Sequence, residues 1–146
     1  MHSLRQRINT RDESGFTLIE LLVVLIIIGV LLAIAIPSYL GFRDKAQKTA
    51  AAADVREAIP SAEAFYSDAP NTYVGMTAAT LKTNYDQGMK VVGVNGATDG
   101  VVTATGGATK YCISGQEGTH FAHVVGPGGD IVSTDTADFC ASWTPS

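Results

Sequence analysis

Cysteine is scarce in this chain. Cys112 and Cys140 are the only two in 146 residues, so a zinc framework built on several cysteines at short spacing is excluded. Charge is thin as well, at 16% of residues, and Lys plus Arg (10) fall short of Asp plus Glu (14), for a formal net charge of −4. A basic nucleic-acid footprint is therefore absent. No glycine-rich phosphate loop, metal-ligand spacing or nucleophile–base pair stands out, so no cofactor is implied and an enzyme is the weakest of the functional classes. The length allows one domain and is too short for two good cores.

What is present is unevenly spread. Much of the 46% apolar content sits in one block near the N-terminus. Residues 1–15 are polar and carry Arg5, Arg7 and Arg11, with Asp12 and Glu13 just before Ser14 and Gly15. Residues 16–36 then read FTLIELLVVLIIIGVLLAIAI, 21 residues with one charge, Glu20. As a helix this run spans about 31 Å, close to the hydrocarbon thickness of a bilayer. It has to lie in a membrane or inside an assembly.

Three readings of the run compete. In a cleaved secretory signal, Ala33, Ile34 and Ala35 would form the small-residue site, but the run is longer than such a core and Pro37 follows almost at once. A plain membrane anchor explains length and apolarity and leaves Glu20 unexplained, since a carboxylate in lipid is costly and usually marks a function. The third reading accounts for Glu20. Gly15, Phe16, Thr17, Leu18, Ile19 and Glu20, with an apolar run ending at Pro37, closely resemble the N-terminal motif of type IV prepilins and type II secretion pseudopilins. Ser14 stands where that family is often basic.

The resemblance implies cleavage after Gly15 by a prepilin peptidase and N-methylation of the new N-terminus at Phe16. It implies that Glu20 pairs with the N-terminal amine of a neighbouring subunit. Physical chemistry fits that role. Cutting after Gly15 creates a cation one helical turn from Glu20, and a lone charge buried in an apolar fibre is costly enough to punish misregister. Loss of residues 1–15 removes three arginines and two acids, leaving a formal charge of −5. Three basic residues precede the run and three follow it (Arg43, Lys45, Lys48), so the positive-inside rule is indecisive. An outward C-terminal domain follows from the resemblance and the cysteine pair.

Beyond the run, Pro37 removes one helical hydrogen bond and, with Gly29, marks a weak point. It either loosens the helix inside a filament or marks where the helix leaves the bilayer, and both can hold. Residues 38–67 read as continuing helix, with Tyr39, Phe42, Ala46, Thr49, Ala53, Ile59, Ala62, Phe65 and Tyr66 as an apolar stripe. Ile59, Phe65 and Tyr66 are expected on the chain's own sheet, and Tyr39, Leu40 and Phe42 in subunit contacts. Pro60 predicts a second kink. Residues 71–88 read as a loop with a short helix near 78–85. Residues 89–94 and 101–105, divided by Asn95-Gly96 and Asp99-Gly100, read as a hairpin. Residues 109–113 and 120–125 give two further strands around a turn at 114–118, and 126–129 is a turn before a short strand at 131–132.

An even cysteine pair in an exported chain favours one disulfide. Closing Cys112 onto Cys140 would be worth about 3.5 kcal/mol on the chain-entropy model. The loop between them holds His120, His123, Asp130, Asp135 and Asp138. The histidines, three apart on a strand, fall on opposite faces and make poor joint ligands. The aspartates could bind calcium, as some pseudopilins do near the C-terminus, but they read first as a solvated acidic loop, and no metal is expected.

The expected fold is α+β, a long N-terminal helix packed on a small antiparallel sheet with one disulfide, which is the layout the family resemblance implies. Four stretches are expected: a leader (1–15), a transmembrane and later filament-core helix (16–37), an amphipathic helix (38–68) and a β-rich head (69–146). The implied function is a structural subunit of a type IV pilus or pilus-like filament. The alternative is a type II secretion pseudopilin or a minor pilin acting as a binding tip. The implied partners are identical subunits, the prepilin peptidase, an assembly ATPase with its inner-membrane platform, and membrane lipid before assembly. The implied location is the bacterial cytoplasmic membrane, head outward, and then an extracellular or envelope-spanning filament.

Overall fold

The computed structural model describes residues 16–135 and 138–145. The expected leader, including Gly15, lies outside the described residues. The chain divides into two units, in sequence between Tyr39 and Leu40, and each is taken by itself. Helix α1, Leu18–Asp68, is assigned without interruption through both Pro37 and Pro60.

In the first unit the helical residues are apolar on every side and all are exposed. Leu25 and Ile34 keep 68% and 69% of their surface. This helix is long and apolar enough to cross a membrane. A single apolar stripe would need one partner surface; a helix apolar all round needs apolar surroundings.

In the second unit the rest of α1 buries one narrow face made of Ala51, Val55, Ala58, Ser61 and Ala62. Ile59, Phe65 and Tyr66 pack against that core, partly buried. Of the expected stripe, Tyr39, Phe42, Ala46, Thr49 and Ala53 are exposed. The helix ends before Pro70 and Asn71, the latter at φ 53°, where a left-handed residue terminates the turn. Helix α2, Ala78–Asn84, starts at Thr77, whose hydroxyl accepts from the Thr80 N–H at 3.1 Å.

The sheet has four antiparallel strands in sequence order: β1 (Gly100–Gly106), β2 (Tyr111–Glu117), β3 (His120–Gly126) and β4 (Val132–Thr134). Strand β2 is buried on both faces from Tyr111 to Gly115. Its odd-numbered residues face α1: a Cβ at Gly115 would lie 3.0 Å from the Ala51 carbonyl oxygen and 3.0 Å from a Val55 methyl. Its even-numbered residues face the C-terminal segment, where Cys112 is bonded to Cys140 in the 3₁₀ turn Phe139–Ala141.

Two expectations are corrected. Residues 89–94 do not form a hairpin strand with β1. Val91 makes a single parallel bridge to Val101, and the chain then curls on itself. The Gly93 N–H donates to Ala97 and the Val94 N–H to Val91, with positive φ at Gly93, Asn95 and Gly96. Those three conformations, cheap for Gly and Asn, break the extended run. The turn expected at residues 114–118 is also misplaced. Strand β2 runs on to Glu117 and the turn is at Gly118 and Thr119. Ser114 and Gly115 are small because both faces of β2 are covered closely there.

Candidate assembly site

The start of α1 has a defined geometry. Thr17 precedes the first helical residue, and its hydroxyl oxygen accepts from the Glu20 N–H at 3.3 Å. The Glu20 carboxylate reaches back and accepts from the Thr17 N–H at 3.0 Å and the Thr17 hydroxyl at 2.9 Å. This is a capping box, in which each side chain accepts from the other residue's backbone N–H; the Glu20 N–H is shared with the Thr17 carbonyl oxygen at 3.1 Å. Negative charge at a helix N-terminus is also favoured by the helix dipole. Glu20 is thereby fixed beside the backbone that follows Phe16, on a surface shared with Phe16, Ile19, Val23 and Val24. Phe16 itself is 80% exposed.

Thr17 was not singled out above as a functional residue. The signal was present, as Thr-x-x-Glu directly before an apolar run. Gly29 has open space where a Cβ would stand, and the Ser38 hydroxyl donates to the Ile34 carbonyl, 3.4 Å away, in the turn around Pro37.

The candidates in the head occupy separate places. His120 is buried at the start of β3, with Nδ1 2.8 Å from Asp135 and Nε2 3.6 Å from Asp44. Lys48 donates to Asp135 at 3.0 Å. The Lys48 hydrogen bond, followed by that of His120, holds the Asp135 carboxyl below its ordinary value. His123, on the other face of β3, stacks on Phe139 with ring centres 4.2 Å apart. Burial pushes its imidazole below the usual range, against an opposing pull from Asp138. Asp138 accepts from the Thr103 and Ser114 hydroxyls and from the Cys140 N–H, while Asp130 is exposed. Among the described residues, no three His, Cys, Asp or Glu side chains are placed to hold a metal ion.

A third cluster joins helix, loop and sheet. Glu63 of α1 accepts from the Tyr73 hydroxyl at 2.9 Å and the Tyr111 hydroxyl at 3.1 Å. The Tyr66, Tyr73 and Tyr111 rings are spaced 4.6 and 4.8 Å apart in sequence. Burial, then the Glu63 carboxylate, pushes Tyr73 up to about 12 and Tyr111 in the same direction.

Comparison with known proteins places this geometry. The family model for the prokaryotic N-terminal methylation motif matches residues 10–36, and that motif indicates prepilin processing. The type IV wide pilus major component PilA4 of Thermus thermophilus is 34% identical over 128 residues, covering 87% of this chain and 92% of the relative. The narrow pilus major component PilA5 of the same organism is 34% identical over 66% of this chain and 90% of its own length. The type II secretion system core protein G of Pseudomonas aeruginosa is 35% identical over 49% of this chain and 53% of the relative. No solved structure is significantly similar. A capped apolar helix, a small disulfide-bonded antiparallel sheet and near-complete coverage by a major pilin together establish that this chain belongs to the type IV pilin family.

Proposed function

We propose that the chain is the repeating structural subunit of a type IV pilus or pilus-like filament, with no catalytic role. The observation that carries this reading is the first unit of α1: apolar all round, exposed throughout, and bearing one carboxylate at its capped start. Residues 1–15 act as the leader, cut after Gly15 by a prepilin peptidase, and Phe16 is then N-methylated. Residues 16–37 lie first in the cytoplasmic membrane, with the head outward, and later in the filament core. Residues 38–68 carry the helix into the head of residues 69–146. The assembly ATPase and its inner-membrane platform supply the work of extraction from lipid.

In this scheme Glu20 sets register. The capping box holds its carboxylate one turn from the amine that cleavage exposes at Phe16, where a neighbouring subunit's amine can approach. Burial of about twenty apolar side chains supplies adhesion; the ionic pair supplies little net stability and penalises wrong stagger. Gly29 and Pro37 are the points at which the helix loosens, and Tyr39, Leu40 and Phe42 contact neighbouring subunits. The pseudopilin reading is supported by the match to protein G. The pilus reading is preferred because the two Thermus major pilins are covered over 92% and 90% of their length, against 53% for protein G.

Mass spectrometry of the native N-terminus tests the processing. A methylated Phe16 start is expected; a start at Met1, or beyond Pro37, overturns it. For Glu20, a Glu20→Leu variant is expected to insert in the membrane and to yield few sheared fibres. Normal fibre yield would remove the register role. Abundance in sheared surface fibres separates a major pilin from an envelope-retained pseudopilin.

A further inference from the structure

The disulfide is not the only tie between the C-terminal segment and the sheet. Thr103 of β1 and Ser114 of β2 are register partners on the face away from α1. Their hydroxyls each donate to a different oxygen of Asp138. The same carboxylate accepts the Cys140 N–H at 2.9 Å and so caps the 3₁₀ turn that carries Cys140. Ser114 is fully buried, so Asp138 satisfies a hydroxyl that would otherwise be stranded. Phe139, between Asp138 and Cys140, stacks on His123 of β3. Cys112 lies two residues before Ser114 on the same face of β2, and Cys140 lies two residues after Asp138. Seating Asp138 on Ser114 therefore brings Cys140 over Cys112, whose Cα atoms are 5.6 Å apart. None of these polar contacts involves either sulfur.

We propose that Asp138 is the positioning residue for the disulfide. Its carboxylate docks the C-terminal segment on the outer face of β2 before the two thiols join, and fixes the register in which they meet. The chemistry needs a disulfide as oxidant, either a small molecule or a protein. One cysteine thiolate attacks a sulfur of that disulfide, forming a mixed disulfide and expelling one thiolate. The second cysteine thiolate attacks the mixed disulfide at the protein sulfur and expels the second. Two thiol protons pass to solvent and two electrons end on the reduced oxidant. Docking acts on the second, intramolecular attack, whose ease depends on how often the two sulfurs meet.

The test uses the full chain in detergent micelles, equilibrated with reduced and oxidised glutathione, and reads the effective concentration of the cysteine pair. Asp138→Ala is expected to lower it about tenfold or more, because hydrogen bonds to an ionised acceptor are the strong ones. Thr103→Val and Ser114→Ala each remove one donor and are expected to lower it about threefold. Val124→Ala, in the core on the α1-facing side, is expected to lower the melting temperature and leave the effective concentration unchanged. A wild-type effective concentration in Asp138→Ala overturns the proposal, as does an equal loss in Val124→Ala. If Asp138→Ala does not fold, unchanged values in both hydroxyl variants overturn it. In a chain carrying Cys112→Ser and Cys140→Ser, the amide of residue 140 is expected to stay protected from hydrogen exchange, and to lose that protection when Asp138→Ala is added. Loss of protection in the serine pair alone would show that the segment is held by the disulfide and not by Asp138.

Discussion

Replacing Glu63 should cost the head more than its surface position on a helix suggests. Two tyrosine hydroxyls converge on this carboxylate, one on each oxygen, at 2.9 and 3.1 Å. Tyr73 and Tyr111 are 2% and 1% exposed, so neither hydroxyl has solvent as an alternative. Glu63→Leu leaves two buried donors unpaired, at about 1–3 kcal/mol each. Against this stand the desolvation cost of the carboxylate, which disappears, and the apolar burial of the new side chain. The net loss should be about 3 kcal/mol, a large share of a small domain's stability. Glu63→Gln keeps one acceptor oxygen and should lose about 1–2 kcal/mol. Adding Tyr73→Phe and Tyr111→Phe to Glu63→Leu removes the stranded donors and should recover most of the deficit. Denaturant unfolding of the full chain in micelles, followed by circular dichroism, measures all four proteins. Glu63→Leu at wild-type stability, or a triple variant no better than the single one, would refute the reasoning.

Gly115→Val places a Cβ 3.0 Å from Ala51 and Val55 and should destabilise the head by about 1–3 kcal/mol through overpacking; an unchanged melting temperature would mean that α1 and the sheet yield there. Reducing the Cys112–Cys140 bond, whose partners are 28 positions apart, should cost about 3.5 kcal/mol, read as a lower melting temperature in reductant. At alkaline pH, Tyr73 titrates at about 12 in the folded head and near 10 when unfolded. Between those values the folded state holds a proton that the unfolded state has lost, so this stabilisation is intact below pH 10 and falls away as pH rises toward 12. Tyrosinate absorbance set against unfolding checks it, and a head equally stable at both ends of that window would contradict it.

Features governed by local sequence were legible from sequence. The apolar run, helix α2, strand β3 and the end of α1 before Pro70 depend on neighbours along the chain. The capping box at Thr17 was equally legible as Thr-x-x-Glu ahead of an apolar run. The core of the head was much less so. Its helical side is Ala51, Val55, Ala58, Ser61 and Ala62, of which the stripe read from the sequence included only Ala62, its first half following Tyr39, Phe42, Ala46, Thr49 and Ala53 instead. Ala51 and Val55 are approached closely by Gly115, a relation between positions far apart in sequence. Ser114 and Gly115 suggested a turn for the same reason. Smallness marks turns, and it also marks strands approached closely from both sides. The cover over Cys112 and Ser114 comes from residues 138–140, so the role of Asp138 depends on a long-range contact that local pattern does not reveal.

The two parts of α1 differ in composition. Its first unit presents leucine, isoleucine and valine in every direction, whereas its later turns bury one thin face and expose Lys45, Thr49, Ala53 and Arg56. Lipid satisfies the first arrangement without any specific contact, and so does a bundle of like helices. The two environments are therefore nearly equivalent for the aliphatic side chains, and transfer between them exchanges one apolar contact for another. They are not equivalent for Glu20. In this chain its carboxylate has the Thr17 donors; in the proposed bundle a charge buried among aliphatic side chains would call for a cation as well. In the assembly proposed above, direction and register then come from a few polar atoms at the helix start, while the aliphatic residues supply most of the contact and little of the choice.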